Sequence, residues 1–203
     1  RRIEDEQIKE QVKSIEFTTN SLMLMSNQIL QYSKSENAKL TLNTVSFNLI
    51  DELDNIFKSL VPIVESNNNT IEVKFSEIVQ NSMVSTDLVK VHQLFYNIVG
   101  NANKFTQKGT IFVNLHLLDT NNNQLNLKVE IKDTGLGISK TEIENIFNDF
   151  YQGVNNEKVK DIGAGLGLNL CKEIVELLNG TITIESEINK GTIVSFNLLL
   201  NKN

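Results

Sequence analysis

The chain has 203 residues, of which 40% are hydrophobic and 22% are charged, proportions that are typical of an ordinary globular protein. Its net charge of −6 argues against a general nucleic-acid binder, because such proteins concentrate positive charge against phosphates. The only cysteine, Cys171, excludes an internal disulfide and fits a reducing compartment. No apolar run is long enough to cross a bilayer, so we expect a cytoplasmic chain whose membrane anchor, if the protein has one, lies elsewhere.

A long helix is predicted at the start of the chain, over residues 3–33. Its apolar side chains, for example Ile8, Val12, Ile15 and Leu22, recur at spacings of three and four and form one stripe. A helix of this length cannot bury such a stripe alone, so it needs a partner. Two interpretations stay open, because the helix either folds back on its own domain or joins an intermolecular bundle.

After a polar linker, the pattern changes to strands interleaved with helices. Strands are predicted at 40–46, 70–76, 110–118, 124–132, 181–186 and 191–200. Helices are predicted at about 48–66, 87–103, 141–148 and 165–179. This order predicts an α+β fold, a two-layer α/β sandwich in which a mixed, mostly antiparallel sheet packs on helices after the long first helix.

One predicted helix carries a polar face that is poor core material. Asn97, Asn101 and Lys104 recur at spacings of four and three, so they share that face. Two amides and an ammonium suit a hydrated divalent ion and nearby phosphates. The same stripe is also usual on a solvated helix surface, and alone it does not decide between the two.

Two glycine-containing segments follow this helix. The segment 133–138 (DTGLGI) comes directly after a predicted strand, where Asp133 can accept a hydrogen bond from the exocyclic amine of a base, although an ordinary turn has the same residues. The segment 163–168 (GAGLGL) runs into a helix whose N-terminus offers N–H groups to phosphates. It does not follow a strand, which disfavours a dinucleotide fold, and the absence of a Walker-type loop disfavours a P-loop ATPase.

In this order and at these distances, the three segments resemble the ATP-binding domain of sensor histidine kinases, in the wider group that includes gyrase, the Hsp90 chaperones and MutL. The matching motifs are the N box at 97–106, the first glycine box at 129–138, the F box at 146–152, the second glycine box at 161–180 and the closing hairpin at 189–200. The segment 26–53 is similar to the second dimerisation helix and its junction with the kinase domain. The resemblance implies a truncated dimerisation hairpin at 1–40 and an ATP-binding catalytic domain at 41–203.

The resemblance also implies roles for particular residues, with ATP and Mg²⁺ as the cofactors. Asn101 would be the Mg²⁺ ligand, Asn97 would assist it, and Lys104 would reach the phosphates. Asp133 would accept a hydrogen bond from the adenine amino group. The other residues expected to contact ATP are Gly135, Gly137, Gln152, Gly163, Gly165, Leu166, Gly167 and Leu168.

Some positions depart from the family pattern. Residues 149–163 would form the ATP lid, yet Ala164 beside it lacks the usual hydroxyl and Asp149 places a negative charge near the phosphate path. Asn103 stands where the family usually has an apolar residue. Phosphate binding is therefore expected to persist but to be weaker than in the family.

The family transfers the γ-phosphoryl group of Mg·ATP to a histidine and then relays it to an aspartate of a response-regulator receiver domain. This chain contains only His92 and His116, and neither lies on the dimerisation helix or precedes an acid, so both are expected to be structural. No catalytic residue is therefore assigned in this chain, and the acceptor histidine is expected on an upstream helix. The expected partners are a second copy, bound through the N-terminal helix, and a receiver domain.

One other function stays open, and a third is disfavoured. The chain could be a non-catalytic dimerisation or scaffold module with a degenerate nucleotide site. An ATPase of the gyrase or Hsp90 kind is disfavoured, because Asn97 stands where that chemistry needs a glutamate.

Overall fold

The computed structural model describes residues 42–76, 82–120, 123–148, 151 and 165–203. The chain divides into two units, 1–40 and 41–203, and all of these described residues belong to the second. The helix predicted at 3–33 and its dimerising role lie outside them. Among the helices that the structure does describe, none combines the length and the apolar character needed to span a membrane.

The described residues form seven strands and four helices. The strands are β1 (Val45–Asn48), β2 (Thr70–Ser76), β3 (Met83–Thr86), β4 (Thr110–Asp119), β5 (Gln124–Asp133), β6 (Thr181–Glu187) and β7 (Gly191–Lys202). The helices are α1 (Leu49–Ser66), α2 (Leu88–Phe105), α3 (Lys140–Ile143) and α4 (Gly167–Leu177).

All seven strands belong to one sheet, in the order β1-β3-β7-β5-β4-β2, with β6 also paired to β7. Only β2 and β4 run parallel, and the other described pairs are antiparallel. Strand β5 buries alternate residues, as expected for a strand with one face toward a core. The buried side chains of these strands form one hydrophobic core with those of α1, α2 and α4. The predicted α+β sandwich with a mixed, mostly antiparallel sheet is confirmed.

Side-chain caps fix where the two long helices begin. The Asn48 side chain caps α1 by accepting hydrogen bonds from the backbone N–H groups of Ile50 and Asp51, at 3.1 and 3.4 Å. Asp87 caps α2 in the same way, because its Oδ1 accepts from the N–H of Lys90 at 3.1 Å. Both helices then bury one apolar stripe, which decides the face that each turns toward the sheet.

The structure differs from the sequence prediction at short elements. Strand β1 begins only at Val45, and β3 was not predicted, because four residues give too short a pattern to recognise. The helix predicted at 141–148 is a single turn, α3, which a capping box between Ser139 and Glu142 starts. Helix α4 begins two residues later than predicted, after Gly165, whose φ of 73° is left-handed and cannot continue a helix.

A buried amide pair explains the unusual Asn103. The Asn69 side chain is 2% exposed, and its Nδ2 donates to Asn103 Oδ1 at 2.8 Å and to Thr106 O at 2.9 Å. Asn69 Oδ1 accepts from the N–H of Gly109 at 3.0 Å, and Asn103 Nδ2 donates to Ile63 O at 3.2 Å. The pair therefore ties the end of α1 to the end of α2, where an apolar side chain would leave backbone groups unpaired.

We predict that Asn69→Ala lowers the free energy of unfolding by about 1–3 kcal/mol, because it leaves buried polar partners unsatisfied. Urea unfolding followed by circular dichroism measures the change. Asn67→Ala, in the same turn but exposed, is the matched control and should change stability by less than about 0.5 kcal/mol. Equal losses in the two variants would contradict the role given to the buried pair.

Candidate functional site

The site is built along α2, which lies between the other two candidate segments. Its apolar stripe is buried against the sheet, whereas Asn97, Asn101 and Lys104 are half-buried at its edge. The Lys104 ammonium lies 5.1 Å from the centroid of the Phe105 ring, a distance within cation–π range. The three side chains thus keep the shared face that their spacing predicts.

Asn97 lies against the start of α4. A Cβ atom built on Gly167 would be 3.8 Å from both Cγ and Oδ1 of Asn97, which is ordinary van der Waals contact. The thiol of Cys171, one turn further along α4, donates to the backbone carbonyl of Leu94 on α2 at 4.0 Å. That thiol is completely buried, and burial raises its pKa to about 12, a rise that the neighbouring Asn97 side chain opposes. The thiol is therefore a packing and hydrogen-bonding group and not a reactive one.

Asp133 lies at the end of β5 with only 6% of its surface exposed. Its Oδ1 accepts hydrogen bonds from two backbone N–H groups, of Gly135 at 2.8 Å and of Thr192 at 3.2 Å. Burial raises the pKa of this carboxyl above its ordinary value, and the two hydrogen bonds oppose the rise. The second oxygen, Oδ2, takes part in neither of these bonds.

The loop after Asp133 packs on the last turn of α2 and on the β6–β7 hairpin. The N–H of Leu136 donates to Phe105 O at 3.1 Å, and a Cβ on Gly135 would collide with that carbonyl. Gly137 has a left-handed φ of 69°, and a Cβ there would collide with Glu187 O. Glycine is therefore required at both positions for the loop to pass this close to its neighbours.

The first turn of α4 presents backbone N–H groups without a side-chain cap. Leu166, which is buried, occupies the N-cap position and supplies no capping hydrogen bond. Gly167 and Leu168, both half-buried, begin the helix. This end carries the positive pole of the helix dipole, which favours an anion.

Helix α2 joins the two ends of the candidate site. Asn97 contacts the start of α4, and Phe105 bonds the loop that follows Asp133. Asn97 and Phe105 are eight positions apart, so the two contacts are separated by about 12 Å along the helix, at about 1.5 Å per residue. Asn97, Asn101 and Lys104 lie on α2, and the other described candidates lie at the end of β5, in the loop after it or at the start of α4. Gln152 and Gly163 lie outside the described residues.

Sequence reasoning missed three residues that support this site. The Cys171 thiol donates to Leu94 O on α2, the Thr192 N–H donates to Asp133, and the Ser186 hydroxyl accepts from the N–H of Ile138 in the loop. The one indication in the sequence was Thr192, a polar residue directly after Gly191 in the hairpin. Contacts between distant strands leave no local sequence pattern, so the other two residues could not be recognised. The two histidines are part of the fold, since His92 Nε2 lies 2.5 Å from Glu52 Oε1 and His116 lies within β4.

The described residues thus form a mixed sheet packed on helices, with the buried Asp133 carboxyl near one end of α2 and the uncapped start of α4 beside Asn97. The chain belongs to the family described as "Histidine kinase-, DNA gyrase B-, and HSP90-like ATPase", whose model matches residues 86–202, more than half of the chain. Within that family it is a histidine-kinase-type catalytic ATP-binding domain, as the sequence motifs predicted.

Sensor kinases are among its relatives. The chain is 32% identical over 187 residues to the autoinducer 2 sensor kinase/phosphatase LuxQ of Vibrio vulnificus (strain YJ016), covering 90% of this chain and 22% of LuxQ. It is 31% identical over 192 residues to the sensor protein GacS of Pseudomonas syringae pv. syringae, covering 93% of this chain and 21% of GacS. The chain thus spans about a fifth of the length of these curated relatives.

The fold is also similar to that of a solved structure, full-length ShkA in complex with AMPPNP. The TM-score is 0.72 at 20% identity, and the match covers 96% of this chain and 39% of ShkA. At this identity the likeness supports the fold alone.

We predict that Gly135→Ala lowers the free energy of unfolding by about 1–3 kcal/mol, because the added methyl group displaces the Phe105 carbonyl. The matched control is Gly100→Ala on α2, where a Cβ meets nothing within 4 Å. That variant should instead gain about 0.5–1 kcal/mol, since alanine is the better helix former. Thermal and urea unfolding of both variants check the two opposite signs, and a stabilising Gly135→Ala would contradict the packing described.

The raised pKa of Asp133 predicts a pH dependence of stability. Between the ordinary Asp pKa of 3.8 and the higher folded value, the folded state keeps a proton that the unfolded state releases. The contribution of this carboxyl to stability therefore falls as pH rises through that window, and the loss is complete above the folded pKa. Urea unfolding at a series of pH values should show this fall in the wild type and a flatter profile in Asp133→Asn. Identical profiles would contradict the prediction.

Proposed function

We propose that this chain binds Mg·ATP and acts as the catalytic core of a sensor histidine kinase. The γ-phosphoryl group would pass to a histidine outside the described residues, for relay to an aspartate of a response-regulator receiver domain. The observation that carries the proposal is the bridging position of α2, with Phe105 bonded to the Asp133 loop and Asn97 against the uncapped start of α4.

The Asp133 end suits an adenine base. Two backbone N–H groups hold Oδ1 and fix the carboxyl in place, so Oδ2 can accept a hydrogen bond from the exocyclic amine. The proposed bond requires the ionised form of the carboxyl. Because the pKa of Asp133 is raised, this form predominates only at pH values well above that pKa. The tight loop at Gly135 and Gly137 would supply the flat wall of the base pocket.

The α4 end suits the phosphates. Backbone N–H groups at Gly167 and Leu168 would donate to phosphate oxygens, and the positive end of the helix dipole would lower the electrostatic cost of the bound charge. Lys104 lies on the same face of α2 as Asn97 and would add a positive charge close to the phosphates. The proposed roles of Gly165, Leu166, Gly163 and Gln152 extend this phosphate site.

The residues present fit a magnesium ion that arrives with the nucleotide. The described part of the chain contains no cluster of three His, Cys, Asp or Glu side chains that could hold a metal ion by itself. Mg²⁺ is commonly bound by one or two protein oxygens together with phosphate oxygens and water, and the amide oxygen of half-buried Asn101 would supply such a ligand beside Asn97. When bound, the ion neutralises phosphate charge that develops during phosphoryl transfer.

Phosphoryl transfer depends mainly on positioning and charge, so the chain's own part is to bind and orient the nucleotide. Asp133 would fix the base, α4 and Lys104 would hold the phosphates, and the buried elements around them would exclude water. Dimerisation through the N-terminal helix would present the acceptor histidine. The chain spans about a fifth of the length of its curated relatives, so the acceptor histidine, the dimer and the receiver partner are proposed and not observed.

Calorimetric titration with Mg·ATP tests the nucleotide site. Asp133→Asn should weaken binding about tenfold or more, because the amide cannot reproduce the acceptor strength of a carboxylate that is already held by two N–H groups. Asp54→Asn, the same substitution at an exposed position of α1, is the matched control and should bind as the wild type does. Unchanged affinity in Asp133→Asn would contradict the assignment.

Incubation with labelled ATP of a chain that carries the proposed acceptor helix tests the kinase itself. An acid-labile phosphate on histidine is the expected product, and Asn101→Ala should abolish it. A chain that binds Mg·ATP but never becomes labelled would instead support the non-catalytic scaffold.

A further inference from the structure

The hydroxyl group of Ser186 on β6 joins three segments behind Asp133. It accepts a hydrogen bond from the backbone N–H of Ile138 at 2.8 Å and donates to Gly191 O at 2.9 Å. It also lies 2.9 Å from the hydroxyl oxygen of Thr192, which faces it across the β6–β7 pair. Ser186 is half-buried and Thr192 is 8% exposed, so solvent does not readily replace these bonds.

The three bonds can exist together in only one arrangement of protons. A serine hydroxyl has one proton to donate and two lone pairs to accept with. The N–H of Ile138 can only donate and the carbonyl of Gly191 can only accept, so the Ser186 proton goes to Gly191. Thr192 must therefore donate its own hydroxyl proton to Ser186, and its oxygen is left to other groups as an acceptor only.

The Thr192 hydroxyl oxygen belongs to a residue that also hydrogen-bonds Asp133 through its backbone, since the Thr192 N–H donates to Asp133 Oδ1 at 3.2 Å. We propose that Ser186 is a specificity-determining residue of the nucleotide site. Because Ser186 accepts the hydroxyl proton of Thr192, the edge of the base pocket presents only hydrogen-bond acceptors, and these select a base with an exocyclic amine. The inference rests on the proposed function and extends it, because it assigns part of the choice of adenine to a residue that need not touch the base.

The selectivity follows from what a keto base would meet at this edge. In the proposed pose a keto oxygen in place of the amine would face Asp133 Oδ2 and the Thr192 hydroxyl oxygen, so it would find no donor and would be repelled by the negative charge. If Ser186 were absent, the Thr192 hydroxyl could rotate and donate to the keto oxygen. Removal of Ser186 should therefore help a keto nucleotide more than an amino nucleotide.

The test compares ATP with inosine triphosphate, which carries a keto oxygen in place of the amine, by calorimetry in the presence of Mg²⁺. In Ser186→Ala the ratio of the two Kd values, inosine triphosphate over ATP, should fall about five- to tenfold. Ser186→Thr keeps the hydroxyl and should restore the wild-type ratio. The matched control is Thr183→Ala, an exposed hydroxyl on the same strand, which should leave the ratio unchanged.

A double-mutant cycle separates this role from a structural one. A loosened loop would weaken both nucleotides alike and would leave the ratio unchanged, which would overturn the inference. In the Thr192→Val background Ser186→Ala should no longer change the ratio, and a change that persists there would also overturn it. If the wild type binds neither nucleotide, the proposed function fails and this inference with it, whereas ATP binding with an unaltered ratio overturns the inference alone.

Discussion

The buried carboxyl of Asp133 is the constraint on which the rest of the site depends. A carboxyl with 6% exposure is costly unless hydrogen bonds hold it, and here two backbone N–H groups do so through one oxygen. Those two groups come from a tight loop after β5 and from the start of β7. Close approach of these backbones explains the glycines of the loop, and it explains why the β6–β7 hairpin must pack against it.

Helix α2 connects the Asp133 loop to the proposed phosphate site. Its last carbonyl bonds the Asp133 loop, and Asn97, about two turns earlier, lies against the first turn of α4. The Asn69–Asn103 pair ties the end of α2 to α1 through hydrogen bonds. One helix thus sets the distance between Asp133 and the first turn of α4, where we propose the base and the phosphates to bind.

Much of this could be predicted from sequence where a local pattern decides the structure. The shared face of Asn97, Asn101 and Lys104 follows from helical periodicity, and the position of Asp133 follows from the end of a strand. The partners of these residues could not be predicted in this way. Cys171, Thr192 and Ser186 act through contacts between distant segments, and β3 was too short for its alternation to be recognised.

A crystal structure of the chain with Mg²⁺ and a non-hydrolysable ATP analogue would decide whether Asp133 binds the base. We expect the exocyclic amine to lie within about 3.2 Å of Asp133 Oδ2. We also expect phosphate oxygens at the N–H groups that begin α4, and the metal bound to Asn101. A nucleotide bound elsewhere on the domain, or one whose base makes no contact with Asp133, would contradict the account.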